Sequence, residues 1–259
     1  MIDLSGKRAF VTGGTRGIGR ATALLLAAAG ARVALGYRQR AADAEQVAAA
    51  IRARGRDVRL VAGDLGEPQA AARAVALAAE AGPDGSPDGL DILIVNHGVW
   101  VATDAPVARL TDTQWEGTRR ANLDAVLYVC RAAIPRLADG GRIVLVSSTA
   151  GQRGEAFHAD YAATKGAVIA FTKSLAIELA PRHITVNCVA PGWVDTEMAA
   201  EPYQRDEGRG RQEIERSIPL GRVATAEDIA GPIVFLCSDW ARHITGEILN
   251  VNGGSVLCG

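Results

Sequence analysis

KRAFVTG, ARVALGY, DVRLVAGD and LDILIVNHG are short apolar runs in which polar residues do not alternate with apolar ones. A strand of that kind is buried on both faces, which requires helices above and below a parallel sheet. The segments between the runs supply those helices. ATALLLAAAGA, AADAEQVAAAIRARG and QAAARAVALAAEAG have helical composition and run out at a glycine. A helical stretch from Thr113 to Leu137 follows, and then three more strands, GRIVLVSS, HITVNCVAPG and GEILNVNGG, separated by the helical YAATKGAVIAFTKSLAIELA and AEDIAGPIVFLCSD. The pattern predicts α/β architecture with a doubly wound parallel sheet. With 259 residues, 48% of them hydrophobic, the chain can build one large core, so residues 1–259 are expected to form a single domain. AGPDGSPDG is expected to be a surface loop, and EPYQRDEGRGRQEIER, between Met198 and Ile218, an irregular charged segment.

Charge narrows the function classes. Lys and Arg number 28 against 29 Asp and Glu, a formal net charge of -1. No overall field gathers a polyanion or an anionic bilayer, so neither nucleic acid nor membrane is an expected partner. The start MIDLSGKRAFVTGG lacks the features of a secretory leader, and no later apolar run reaches spanning length, so a soluble, cytoplasmic protein is expected. Cys130, Cys188, Cys237 and Cys258 are far apart and form no Cys-x-x-Cys pair. They are expected to be reduced, three of them in apolar surroundings. His97, His158, His183 and His243 are scattered without ligand spacing, and no metal site is expected.

The first chemical signal is TGGTRGIG, Thr12 to Gly19, at the first strand-to-helix junction. Glycines there allow a tight turn and let backbone N–H groups approach a pyrophosphate at the positive end of a helix. Gly13, Gly17 and Gly19 give G-x-x-x-G-x-G and not the usual G-x-G-x-x-G, so the turn alone is a weak sign. The end of the second strand separates two dinucleotides: an acid would bind a free ribose 2′-OH, cations a 2′-phosphate. LGYRQR carries Tyr37 and Arg38 and no carboxylate, and Arg16 lies inside the turn, so NADP is expected over NAD. The alternative is that Arg38 and Arg40 are solvated surface charges.

DYAATKG sets Tyr161 and Lys165 four apart, hence on one helical face. An ammonium beside a phenol would lower its pKa from about 10 and make it a usable acid–base. Upstream, GRIVLVSSTAG runs a strand into Ser147 and Ser148 at the carboxyl end of the sheet, where a hydroxyl could donate to a substrate carbonyl.

TGGTRGIG, a serine thirteen residues before the tyrosine, YAATK and PGWVDT together resemble the short-chain dehydrogenase/reductase family, and the resemblance spans Leu4 to Gly254. The ending GRVATAEDIAGPIVFLCSDWARHITGEILNVNGG is most similar to the bacterial 3-oxoacyl-carrier-protein reductase type, although sugar, steroid and other small-alcohol dehydrogenases share it. The resemblance implies a Rossmann fold, a homotetramer and interconversion of a ketone and a secondary alcohol. It makes Tyr161 the acid–base, Lys165 the group that acidifies it and holds the nicotinamide ribose, Ser148 the catalytic serine, and Asn122 the anchor of a relay water. Gly13, Thr15, Arg16, Gly17, Ile18, Gly19, Tyr37 and Arg38 would bind the dinucleotide. So would Asp64 and Leu65 at the adenine, Asn96 and Gly98 at the adenosine ribose, and Pro191, Gly192, Val194 and Thr196 at the nicotinamide end.

One departure stands out: the family has Asn-Asn-Ala-Gly where this chain has Val95, Asn96, His97 and Gly98. His97 is expected to be a packing variant, with tuning of the site as the alternative, and His158 is expected to face the substrate mouth. Residues 198–218 are expected to act as a lid, with 99–104 and 152–158 also shaping specificity. Trp100, Trp193 and Phe157 suggest an apolar pocket. A non-catalytic NADP-binding sensor stays open as a second class, since folds host many functions. A serine hydrolase using Ser148 and His158 is disfavoured, because no G-x-S-x-G turn occurs.

Overall fold

The computed structural model describes residues 2–82, 85 and 88–257. Part of the expected AGPDGSPDG loop (Pro83, Asp84, Ser86 and Pro87) lies outside them, as does Cys258. Seven strands form one parallel sheet: β1 Arg8–Thr12, β2 Arg32–Tyr37, β3 Val58–Ala62, β4 Leu90–Val95, β5 Leu137–Val146, β6 Thr185–Pro191 and β7 Ile248–Val251. Their order is β3-β2-β1-β4-β5-β6-β7. β1 pairs with β2 (Phe10 opposite Ala34) and with β4 (Phe10 opposite Leu93), so the order reverses at β1 and opens a crevice above its carboxyl end.

The helices are α1 Gly17–Ala28, α2 Ala41–Arg52, α3 Pro68–Ala79, α4 Asp112–Arg119, α5 Ala125–Ala133, α6 Thr149–Arg153, α7 Ala159–Leu179, α8 Ala200–Gln204, α9 Arg209–Ser217 and α10 Ala226–Leu236. Two apolar layers enclose the sheet. Leu26 of α1, Ile51 of α2 and Ile233 of α10 pack on one face, and Val75 of α3, Val129 of α5 and Leu175 of α7 on the other. The inner strands β1, β2, β4 and β6 and the second half of β5 are thus buried on both sides, as their composition requires, whereas β3 and β7 lie at the sheet edges and are only partly covered, with Ala62 exposed.

Two stretches differ from expectation. The run from Thr113 to Leu137 is not one helix: a π-turn, Arg120–Asp124, separates α4 from α5, a 3₁₀ turn follows at Ile134–Arg136, and Leu137 already pairs with Leu90 in the sheet. Pro135 is the second residue of that 3₁₀ turn, where a proline needs no N–H partner, and the chain straightens after it. The segment from Met198 to Ile218 is largely helical, as α8 and α9. They are parted at Asp206, Glu207 and Gly208, which all have positive φ.

Candidate active site

The crevice is a cavity of about 600 Å³. Of the residues expected at a dinucleotide, all but Gly19 line it. Gly19 acts one layer down: a Cβ there would run into the Gly13 carbonyl and sit 2.6 Å from Asn96 Nδ2, so only glycine lets α1 start against the turn. Gly13 and Gly17 have φ of +61° and +45°, the left-handed region that glycine enters without strain. Asn96 ties the two sides of the switch point together, its Nδ2 donating to the Thr12 and Gly13 carbonyls at 3.4 and 3.3 Å.

At the β2 end of the cavity two of the cations are engaged. Arg16 Nη1 and Arg40 Nη1 share one oxygen of Glu197, Oε2, at 2.7 and 2.9 Å, while Arg38 makes no salt bridge among the described residues. Asp64, expected at the adenine, accepts from Gly66 N at 3.0 Å and from Arg120 at 3.0 Å, and its carboxyl is held below the ordinary range even though burial acts against this. Sequence reasoning missed Glu197. Its only signal was adjacency to Thr196 in PGWVDTE.

At the β5 end, Ser148 caps α6: its oxygen accepts from Ala150 N at 3.1 Å, and its hydroxyl proton faces Tyr161. Ser147 and Lys165 cross-tie strand to helix. Ser147 Oγ donates to the Lys165 carbonyl at 2.8 Å, and Lys165 Nζ donates to the Val146 carbonyl at 2.8 Å. Tyr161 is flanked by clamps onto the preceding helix pair, since Asp160 accepts from Thr118 Oγ1 at 2.7 Å and Thr164 Oγ1 accepts from Asn122 Nδ2 at 3.4 Å. Ser148, Tyr161 and Lys165 all line the cavity.

Asn122 does not. It is fully buried in the π-turn and takes both backbone groups of Val99, accepting from Val99 N at 2.7 Å and donating to Val99 O at 2.8 Å. Its side chain therefore sets the course of Gly98, Val99 and Trp100 along the cavity wall.

The expected acidification of Tyr161 is corrected by the structure. Burial pushes the phenol up to about 12; hydrogen bonding with Ser148 acts in the opposite sense, and the charge of Glu155 reinforces the rise. Burial likewise lowers Lys165 to about 8. The amine lies 5.7 Å from the centre of the tyrosine ring and donates to Val146 O, so in this arrangement it does not set the phenol's proton affinity.

His97 is more than a space filler. With the Thr12 proton directed at Ile94 O (3.2 Å), His97 Nδ1 donates to Thr12 Oγ1 at 2.8 Å. Nε2 is buried without a partner among the described residues. Burial, then the charge of Lys165, lowers the imidazole from 6.5 to about 3. Between those values the unfolded chain binds a proton that the native state refuses, so stability must fall as pH drops below 6.5. Urea unfolding at pH 7.0 and 5.5 is expected to show the native protein losing about 1 kcal/mol more than His97→Asn, which keeps a donor toward Thr12 but does not titrate.

His158 stands behind the mouth and does not line it. It is buried, its ring centre is 4.8 Å from that of Trp100, and its Nε2 is 3.5 Å from Asp104. Trp100 and Trp193 meet edge to face at 5.9 Å on the wall, while Phe157 is exposed and lies outside it. Cys130, Cys188 and Cys237 are buried free thiols, and no helix among the described residues is long and apolar enough to cross a membrane.

A family model described as enoyl-(acyl carrier protein) reductase matches residues 13–255. The chain is 38% identical over 261 residues to the 3-oxoacyl-[acyl-carrier-protein] reductase of Aquifex aeolicus, covering 98% of each protein. Among solved structures it is similar to a short-chain dehydrogenase/reductase described as glucose/ribitol dehydrogenase from Brucella melitensis, with a TM-score of 0.90, 34% identity and 99% coverage of both chains. It also matches a short chain dehydrogenase from Burkholderia cenocepacia solved in complex with NADP, with a TM-score of 0.87, 38% identity, and coverage of 97% of this chain and 98% of that one.

Proposed function

The chain belongs to the short-chain dehydrogenase/reductase family, and from that membership we propose that it is an NADP(H)-dependent enzyme interconverting a ketone and a secondary alcohol, with a 3-oxoacyl thioester as the first substrate class. One observation carries this: a single cavity joins the glycine turn and its arginines to Ser148, Tyr161 and Lys165. The residues fit a nicotinamide dinucleotide, which when bound would supply or accept the hydride. The turn at Gly13 to Gly19 would hold its pyrophosphate, and Pro191, Gly192, Val194 and Thr196 its nicotinamide half. Arg16, Arg38 and Arg40 beside a β2 end without a carboxylate favour a 2′-phosphate, in keeping with the Burkholderia relative solved with NADP.

The protein's own groups then handle the proton. Ser148, hydrogen-bonded with Tyr161, turns its hydroxyl proton to the substrate oxygen. Tyr161, which keeps its proton at neutral pH, gives it to that oxygen as negative charge builds there. Lys165, on the same wall, would hold the nicotinamide ribose, and its positive charge eases the build-up of negative charge on the phenol oxygen as the proton leaves. Asn122 positions the wall through Val99. The segment 198–218 would cover the site, and exposed Trp115, Leu127 and Ile177 on α4, α5 and α7 support assembly into a homotetramer. A ring ketone is the second reading, favoured by Trp100 and Trp193 on the wall.

Mixing the protein with NADPH or NADH and a panel of ketones that includes a 3-oxoacyl thioester, and following absorbance of the reduced nicotinamide, tests this. Turnover with NADPH is expected, preferred over NADH by about tenfold or more in kcat/KM. Absence of NADPH oxidation with every ketone would overturn the proposal.

A further inference from the structure

Glu197 is the first residue of the segment that leads into α8, yet its carboxylate does not serve that segment. Its Oε2 accepts from Arg16 in the glycine turn and from Arg40 at the start of α2, so the base of the expected lid is fastened to the adenosine half of the cavity. Packing repeats the link, since a Cβ on Gly17 would lie 3.0 Å from Thr196 Cγ2. Arg40 holds its position with a left-handed backbone (φ 60°, ψ 61°), a conformation that disfavours a side chain and is retained where the surroundings demand it.

The charges around the carboxylate are few. Asp43 stands 3.8 Å from Arg40, and Asp64 and Glu67 are taken by Arg120. Arg38 has no salt-bridge partner among the described residues. Glu197 is therefore the anion that meets both guanidiniums, and their proximity holds its carboxyl below its ordinary range.

Resting on the NADP reading above, we propose that Glu197 determines cofactor specificity: it is an internal anion that competes with a ribose 2′-phosphate for Arg16 and Arg40, so that the phosphorylated dinucleotide releases the base of the lid and the unphosphorylated one leaves it fastened. A dianionic phosphate outbids one carboxylate for two guanidiniums because it offers more charge and more acceptor oxygens. The carboxylate lowers affinity for NADP while leaving NAD untouched, because a free 2′-OH has no charge with which to displace it.

Adenosine 2′,5′-bisphosphate and adenosine 5′-monophosphate probe this half of the cavity without any chemistry at the nicotinamide. Calorimetric titration of Glu197→Gln is expected to show the bisphosphate binding about 3- to 10-fold tighter than to the unaltered protein, the scale of two exposed ion pairs no longer broken, with the monophosphate unchanged within about twofold. Hydrogen–deuterium exchange of residues 197–204 in the ligand-free protein is expected to be faster in the variant. Glu197→Asp, which keeps the charge but shortens its reach, should shift bisphosphate affinity in the same direction and by less. Equal shifts for both nucleotides, or none, would overturn the role of Glu197 while leaving the NADP reading standing. An unaltered protein that shows no preference for the bisphosphate would overturn both.

Discussion

Tyr161→Phe is expected to lower kcat for ketone reduction by about 10²- to 10⁴-fold, the usual contribution of a positioned general acid. The substitution keeps the ring, which lies on the cavity wall with Lys165 Nζ 5.7 Å from its centre, and removes only the hydroxyl. Affinity for NADPH should stay within about twofold, because the group removed acts on the reacting oxygen more than on the bound dinucleotide. The pairing of the two results is the point: a collapse of kcat with an intact Kd assigns Tyr161 to chemistry, and equal turnover removes it from the reaction. A buried phenol at about 12 also fixes the protonation state, since an acid that holds its proton at neutral pH is ready for the reductive direction.

Lys165→Met is expected to stabilise the fold while abolishing activity. A buried amine at about 8, against 10.5 for an exposed lysine, means that at neutral pH the native state carries a charge it disfavours by at most about 3 kcal/mol. Methionine fills similar volume without the charge but gives up the bond to Val146 O, so a net gain of about 1–2 kcal/mol is expected, raising Tm by about 2–8 °C. The sign follows from linkage. The penalty is complete below pH 8, where both states are protonated, and fades as pH rises from 8 to 10.5, where the native lysine sheds its proton before the unfolded one. Thermal melts at pH 7 and pH 10 should therefore show the advantage of the methionine shrinking at the higher pH. Activity should drop at least about 10²-fold, the mark of a residue retained at the expense of stability.

The sheet was legible from sequence because its signals are local. Glycines at the first strand-to-helix turn and strands apolar on both faces leave few other architectures open. The same motifs supplied much of the cavity lining, from Gly13 to Thr196, while Gly19 and Asn122 stand behind it. What stayed hidden depends on where side chains go after the backbone is placed. Spacing puts Lys165 beside Tyr161, but only the fold shows the amine donating to Val146 O and the phenol dominated by burial. Leu137 has helical neighbours and becomes a strand because Leu90 is there to pair with it. Helices α8 and α9 were masked by composition. α9 reads RGRQEIERS; beyond the i,i+4 pair of Arg211 and Glu215 it is held by contacts no periodicity reveals, Arg211 to Asp195 and Ile214 against the cluster of Ala199, Tyr203, Ile218 and Val223. Glu197 was overlooked because its partners are 157 and 181 residues away in sequence.

The π-turn at Arg120–Asp124 adds a residue to what would otherwise be one continuous helix. Removing one residue there would rewind the join into a regular helix and rotate everything beyond it by about 100°. Val126, Val129 and Cys130, all buried against the sheet, would swing toward water, and Asn122 would let go of Val99. This stretch can change its letters but not its count, so its length is under tighter constraint than its composition.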